Sequence, residues 1–200
     1  EKIRALNCDS AVSGILLQLP LPAPLETYRE DFLEAIAPHK DVDGFCPRNR
    51  GLLMGAEPDF ISCAALACMD VSLRYMSPLV DKKVLLVGNS FDVIQPLTLM
   101  FIKVGCQVSV IPRYYPAAMQ DMDIAIIENG SPQLVNQAGV KPGALLIDAG
   151  FYWHQERVCG NLDREALGEV EGYLLPVPGG MGPLLIAQLM VNLSHAAQKS

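Results

Sequence analysis

Four apolar runs rich in Val, Ile and Leu occur in the middle of the 200-residue chain, and each ends at glycine or proline. They cover residues 82–88, 106–112, 122–130 and 143–150. Strands that are buried on both faces have such continuous apolar runs instead of alternation. Helical patterns cover residues 63–76, 93–105 and 182–199. The alternation of the two patterns predicts an α/β fold with a parallel, Rossmann-like sheet.

The N-terminal part of the chain predicts further elements. Residues 1–12 are typical of a helix end and a turn, and residues 13–21 of a buried strand that ends in prolines. An amphipathic pattern at 25–36 predicts a helix, which Pro38 would stop.

We therefore predict two α/β lobes. The N-terminal lobe covers residues 1–65 and is incomplete, and the Rossmann-like lobe covers residues 66–175. Residues 176–200 would form a loop and a C-terminal helix that returns to the first lobe.

Composition narrows the classes of function. The chain has 22 acidic and 15 basic residues and a net charge of −7, which disfavours nucleic-acid binding. No apolar run reaches the roughly 18 residues needed to span a bilayer, so we expect no membrane span. The six cysteines include no C-x-x-C pair and the three histidines form no ligand pair, so we expect reduced thiols and no metal site. Reduced thiols indicate the cytoplasm or the mitochondrial matrix.

Two glycine-containing loops are candidate binding sites. Gly88 lies between a strand and a helix, where backbone amides bind anions, although a lone glycine equally indicates a tight turn. The segment LPVPGGMGPL at 175–184 contains three glycines and three prolines. Gly179 and Gly180 would let a flat ligand lie against the backbone, or the segment is a plain connector before a helix.

Three polar residues also stand out. Gln18 is an amide within the apolar segment LLQLPLP, so either a backbone group satisfies it or it faces a cleft. In KDVDGF, Asp41 fits a turn that caps the next segment. Asp43 can accept paired N–H donors, such as those of an aminopyrimidine ring.

Together these stretches resemble the bifunctional methylenetetrahydrofolate dehydrogenase/methenyltetrahydrofolate cyclohydrolases. That family carries a GILVQLPLP-like strand, a KDVDGF turn, a VVGRSxxVGxP loop and a PVPGGVGPMT loop. This chain has GILLQLPLP, KDVDGF, LVGNSFDVIQP and PVPGGMGPLL in the same order. The family oxidises 5,10-methylenetetrahydrofolate by hydride transfer to NADP, hydrolyses the methenyl product, and is usually a homodimer.

The resemblance implies roles on the folate side. Asp43 would hydrogen-bond the pterin ring, and Gln18 would lie beside the reacting one-carbon bridge as the catalytic candidate. Pro176, Gly179 and Gly180 would form a wall of the folate site.

The resemblance also implies that Gly88, Asn89, Ser90 and Arg113 bind the cofactor. Asn89 stands where the family has an arginine that meets the 2′-phosphate of NADP. A charge-assisted contact of this kind is worth about 1.5–3 kcal/mol. Asp92 adds a negative charge nearby, and only Arg113 offers a replacement for the lost positive charge.

Two further departures affect the same half of the site. Ile94 stands where the family has a glycine, and its side chain would obstruct the pyrophosphate. Pro112 removes an amide donor after the second strand of the sheet. We therefore predict that NADP binding is weak or lost.

Two hypotheses remain open. The family's catalytic lysine and its tyrosine lie in a Y-x-x-x-K helix that would precede Glu1, so this chain alone would be an impaired dehydrogenase/cyclohydrolase. The alternative is a catalytically degenerate domain with a structural or dimerising role, fused to a formyltetrahydrofolate ligase.

Overall fold

The computed structural model describes residues 1–168 and 170–199. These residues form two compact units. The first unit joins residues 1–63 to residues 186–199, and the second is Ala64–Leu185. The first unit is therefore discontinuous in sequence, whereas the second is a single stretch of chain.

Helices and strands follow one another along both units. The helices in the described residues are α1 (Lys2–Cys8), α2 (Ala23–Glu26), α3 (Arg29–Glu34), α4 (Pro47–Leu52), α5 (Cys63–Met76), α6 (Ile94–Lys103), α7 (Arg164–Leu167) and α8 (Met181–Lys199). The strands are β1 (Lys83–Val87), β2 (Gln107–Ile111), β3 (Ile124–Ile127), β4 (Ala144–Asp148), β5 (Tyr152–His154), β6 (Arg157–Cys159) and β7 (Gly172–Leu175). Within the described part of the chain, no helix has both the length and the apolar character needed to cross a membrane.

Five strands of the second unit form a parallel sheet in the order β2-β1-β3-β4-β7. All residues of β3 and β4 are buried, and β1 is buried after Lys83. Burial on both faces explains why these strands have unbroken apolar sequences. The predicted Rossmann-like sheet is confirmed, as are the helices α5 and α6.

Three strands were not anticipated. The edge strand β7 is largely exposed, so its sequence GYLL has no long apolar run. The strands β5 and β6 pair as an antiparallel hairpin and have three residues each, which is too short for a pattern.

The predicted strand at 13–21 is wrong. Only Ile15 forms a bridge, to Asp41, where the Ile15 N–H donates to the Lys40 carbonyl at 2.6 Å. Pro20 and Pro22 have no N–H to extend a ladder. In the described residues of the first unit, no run of paired residues follows this single bridge.

The predicted helix at 25–36 is also interrupted. The helix α2 ends at Glu26 and α3 begins at Arg29, and the residues between them form a turn. Pro38 then begins a 3-10 turn, Pro38–Lys40, instead of only ending a helix.

Candidate functional site

The KDVDGF segment at 40–45 of the first unit begins with an anchored lysine. Lys40 is 6% exposed, and its Nζ donates to the carbonyls of Leu6, Asn7 and Asp9 at 2.8–3.1 Å. These carbonyls lie at the C-terminal end of α1, where a positive charge is favourable. Lys40 therefore fixes the start of the turn to α1.

Asp41 holds the shape of the turn. Its Oδ1 accepts the Phe45 N–H at 3.1 Å, and its Oδ2 accepts the Cys46 N–H at 2.8 Å and the Asn49 amide at 2.9 Å. The residue is 1% exposed. Both oxygens are thus committed to protein donors, which confirms the interpretation of Asp41 as a turn cap.

Asp43 lies two residues further on and is half-buried. The Cys63 thiol at the start of α5 lies beside it and donates to the Val42 carbonyl at 3.5 Å. Burial and the nearby Asp43 carboxylate raise the pKa of Cys63 to about 12, so the thiol stays protonated at neutral pH. Asp43 is therefore the carboxylate of this segment that remains partly open to solvent.

The backbone around Asp43 is fixed from the far end of the chain. The Asn192 amide of α8 donates to the Val42 carbonyl at 2.9 Å and to the Ile61 carbonyl at 3.2 Å. Gly44 has φ +70°, and a Cβ there would lie 2.5 Å from the Ile61 carbonyl carbon. Only glycine fits this position, so the direction of the turn after Asp43 is fixed.

Gln18 lies in the first unit on an exposed segment. Its Nε2 donates to the carbonyl of the adjacent Leu19 at 2.9 Å. This bond satisfies one donor of the amide, and a role of Gln18 at a cleft stays a prediction.

The Pro176–Gly180 loop of the second unit is a tight turn before α8. The Pro176 carbonyl accepts the N–H groups of Gly180 at 3.0 Å and Met181 at 3.2 Å. Gly179 has φ +92°, and a Cβ on Gly180 would lie 2.5 Å from the Pro176 carbonyl oxygen. Both glycines are therefore required by the backbone itself, whatever ligand the loop binds.

The turn between β1 and α6 holds three of the four predicted cofactor residues. Gly88 is buried with φ +141°, Asn89 is exposed, and Ser90 is half-buried. The Ser90 Oγ accepts the N–H groups of Val93 and Ile94, both at 3.2 Å. The serine therefore satisfies two backbone donors at the start of α6.

The fourth predicted residue, Arg113, lies on the same edge of the sheet. The Ile111 carbonyl at the end of β2 accepts the Gly88 N–H at 2.9 Å. Arg113 follows two residues later and is exposed. The structure thus brings the four residues to the carboxyl ends of two neighbouring strands.

Ile94 is placed differently from the expectation. Its side chain is 1% exposed and packs beside Gly88, with Cγ1 3.0 Å from where a Cβ on that glycine would be. The side chain points into the core. The obstruction of a phosphate by Ile94 stays a prediction, and the structure shows only that this side chain is buried beside Gly88.

A residue that the sequence analysis missed, Glu128, lies at this turn. It directly follows β3, and its Oε2 is 2.6 Å from where a Cβ on Gly88 would be. The hydroxyl and the N–H of Ser90 lie close enough to its carboxyl to favour the charged form. A charged residue directly after the buried run IAII was the available signal, because strand ends of this kind border ligand sites.

The surroundings of Glu128 disfavour its charge. Burial raises the pKa of its carboxyl above the ordinary value, and the Asp92 carboxylate raises it further. The fully buried Cys68 of α5 faces it, and the pKa of that thiol is well above the ordinary value because of burial and the Glu128 charge. Across residues 1–168 and 170–199, no three His, Cys, Asp or Glu side chains come together as metal ligands.

Comparison with known proteins identifies the family of this chain. The sequence profile described as tetrahydrofolate dehydrogenase/cyclohydrolase, NAD(P)-binding domain, matches residues 62–200. The chain belongs to the tetrahydrofolate dehydrogenase/cyclohydrolase family. The profile of the catalytic domain of the tetrahydrofolate dehydrogenase/cyclohydrolases matches residues 1–43, a range that ends at Asp43.

Individual members of the tetrahydrofolate dehydrogenase/cyclohydrolase family are similar over almost the whole chain. Bifunctional protein FolD 1 of Syntrophomonas wolfei is 55% identical, and the match covers 99% of this chain and 72% of that protein. The crystal structure of FolD from Campylobacter jejuni has a TM-score of 0.91 and 34% identity, covering 99% of this chain and 71% of that one. FolD of Trypanosoma brucei, solved with NADP and an inhibitor, has a TM-score of 0.89 and 26% identity, with 99% and 71% covered.

Proposed function

We propose that this chain is part of a methylenetetrahydrofolate dehydrogenase/methenyltetrahydrofolate cyclohydrolase whose first unit binds a folate through Asp43. The observation that carries the proposal is the division of roles within KDVDGF. Asp41 is buried with both oxygens occupied, whereas Asp43 is half-buried on a backbone fixed by Gly44 and Asn192. A fixed, partly open carboxylate suits the paired N–H donors of a pterin ring.

The family resemblance gives residues in each unit, taken separately, a role towards a folate. Gln18, which is exposed, would reach the reacting one-carbon bridge as the catalytic residue. In the second unit, Pro176, Gly179 and Gly180 are the candidates for a folate contact, on a loop held by its own backbone hydrogen bonds.

Calorimetric titration with tetrahydrofolate tests the proposal. Asp43→Asn should weaken binding about ten- to hundredfold, since charge-assisted hydrogen bonds contribute about 1.5–3 kcal/mol. Glu57→Gln removes an exposed carboxylate of the same unit and should bind as the wild type does. Equal affinity of Asp43→Asn and the wild type would refute the role of Asp43.

NADP is the cofactor that the family implies, and we propose that this chain binds it weakly. Asn89 brings no positive charge to the turn, and Arg113 is the nearest candidate for a phosphate contact along this edge of the sheet. Titration of the chain with NADP should give weak or undetectable binding. A micromolar dissociation constant would contradict this.

A second candidate function is that of a domain that still binds folate but no longer carries out the NADP-dependent oxidation. The position of Glu128 on the Gly88 turn favours it, because an acidic group there opposes an anionic cofactor. Such a domain would act in dimerisation or in a fusion with a formyltetrahydrofolate ligase. Folate binding without NADP-dependent oxidation in the full-length protein would support this candidate.

The assembly and compartment are proposals of the same kind. A homodimer follows from the family, and light scattering of the purified chain would test it. The relative from Syntrophomonas wolfei is bacterial, which favours the cytoplasm over the mitochondrial matrix.

A further inference from the structure

The edge of the sheet where β1 and β3 end is a switch point of the topology. The neighbours of β1 are β2 on one side and β3 on the other. In open parallel sheets, ligands bind in the crevice outside the carboxyl ends of the strands at such a point. Gly88 directly follows β1 and Glu128 directly follows β3, so these two residues border the crevice.

Donors that would bind a phosphate at this point already lie beside other acceptors. The N–H and the hydroxyl of Ser90 are close enough to the Glu128 carboxyl to favour its charged form. The N–H groups of Val93 and Ile94 bond to the Ser90 Oγ. A phosphate at a strand–turn–helix junction uses such backbone and hydroxyl donors.

The space above the glycine is also taken. A glycine at this point of a dinucleotide-binding fold lets a pyrophosphate approach the backbone. Here the Oε2 of Glu128 is 2.6 Å from where a Cβ on Gly88 would be, so a carboxylate fills that approach. The pyrophosphate of a dinucleotide therefore does not fit this turn as it stands.

We propose that the Glu128 carboxyl group occupies the phosphate position of the turn between β1 and α6 and excludes dinucleotide phosphates from it. The inference deepens the proposed weak binding of NADP and rests on that part of the proposed function. A phosphate and the ionised form of Glu128 would repel each other strongly in this partly buried site. The nearby Asp92 carboxylate adds to the negative charge.

Two substitutions test the inference in the full chain. Glu128→Gln keeps the volume and removes the charge, and Glu128→Ala removes both. Calorimetric titration with inorganic pyrophosphate, and separately with NADP, should show affinities at least about tenfold higher than in the wild type. Asp81→Asn is the matched control, because Asp81 is an exposed acid that precedes β1 at the opposite edge of the sheet. This control should bind both probes as weakly as the wild type.

The outcomes separate this inference from the rest of the proposed function. If both Glu128 variants melt cooperatively and bind pyrophosphate no more tightly than the wild type, the inference is overturned. The pyrophosphate titration does not depend on folate binding. Failure of tetrahydrofolate to bind the wild type would therefore refute only the proposed folate binding by the first unit.

A measurement on the wild type keeps the test valid if the variants do not fold. The backbone amide resonance of Ser90 should not move when millimolar pyrophosphate is added, because the Glu128 carboxyl already lies beside that N–H. A saturable shift of this resonance would overturn the inference, and an unmoved resonance supports it.

Discussion

Replacing Asp41 by asparagine should destabilise the first unit although the two side chains have nearly the same shape. The carboxylate accepts three hydrogen bonds, one on Oδ1 and two on Oδ2. An amide has one accepting oxygen and one donating nitrogen. If its oxygen keeps the Cys46 N–H and the Asn49 amide, its NH₂ group must face the Phe45 N–H.

The expected cost follows from these contacts. The substitution loses the charge-assisted hydrogen bond from the Phe45 N–H and places the new amide NH₂ against that donor, at a residue that is 1% exposed. It also weakens the two hydrogen bonds that remain, because the acceptor is no longer charged. A hydrogen bond to a charged group contributes about 1.5–3 kcal/mol, and a buried unsatisfied donor costs about 1–3 kcal/mol. We expect a loss of about 3 kcal/mol in the free energy of unfolding, or about 6–12 °C in Tm for a chain of this size.

Amide hydrogen exchange and circular dichroism measure the effect. Asp41→Asn should speed exchange of the Phe45 and Cys46 amides about a hundredfold and lower the Tm. Asp43→Asn is the comparison, since Asp43 is half-buried, and it should change stability by less than about 1 kcal/mol. Equal stability of Asp41→Asn and the wild type would refute the assignment of Asp41 as the residue that holds the turn.

Further predictions concern the second unit. Gly160→Ala should lower the free energy of unfolding in urea by about 3 kcal/mol, because its Cβ would overlap the buried Asp148 carboxylate. Gly182→Ala is the control and should not lower it, because its Cβ would meet no atom within 4 Å. Asn89→Arg alone should leave NADP affinity within about threefold of the wild type, since Glu128 remains; tight binding would count against that block. The raised pKa of Glu128 means that the folded state favours the protonated acid, so wild-type stability is lost as pH rises through that pKa. The Tm of Glu128→Gln relative to that of the wild type should therefore increase from acid to neutral pH. A Tm difference that does not change with pH would contradict this.

The sheet could be predicted from the sequence because burial on both faces leaves a direct signal. The strands β1, β3 and β4 appear as apolar runs rich in Val, Ile and Leu, and glycine marks the turn after β1. The segment at 13–21 has a similar run but lacks paired neighbours. Apolar sequence indicates burial, and it does not by itself indicate which strand supplies the hydrogen bonds.

The candidate site was predictable only where a motif carries it. KDVDGF identified Asp43, and the structure explains why its neighbour Asp41 is not equivalent. Glu128 was missed because the carboxylate meets Ser90 across a gap of 38 residues in sequence, a contact that only the pairing of β1 with β3 creates. The burial of Ile94 was not foreseen for the same reason, since local sequence does not reveal whether a side chain at a helix start faces the core.

The amide of Asn192 has a consequence for the order of folding during synthesis. It bonds the Val42 carbonyl across 150 residues, and the first unit needs residues from both chain ends. Contacts of such large sequence separation form late, whereas the second unit is one continuous stretch with its own core. On the ribosome, the turn that carries Asp43 must therefore wait without its closing partner until the last helix has emerged, and the Rossmann-like unit can assemble in the meantime.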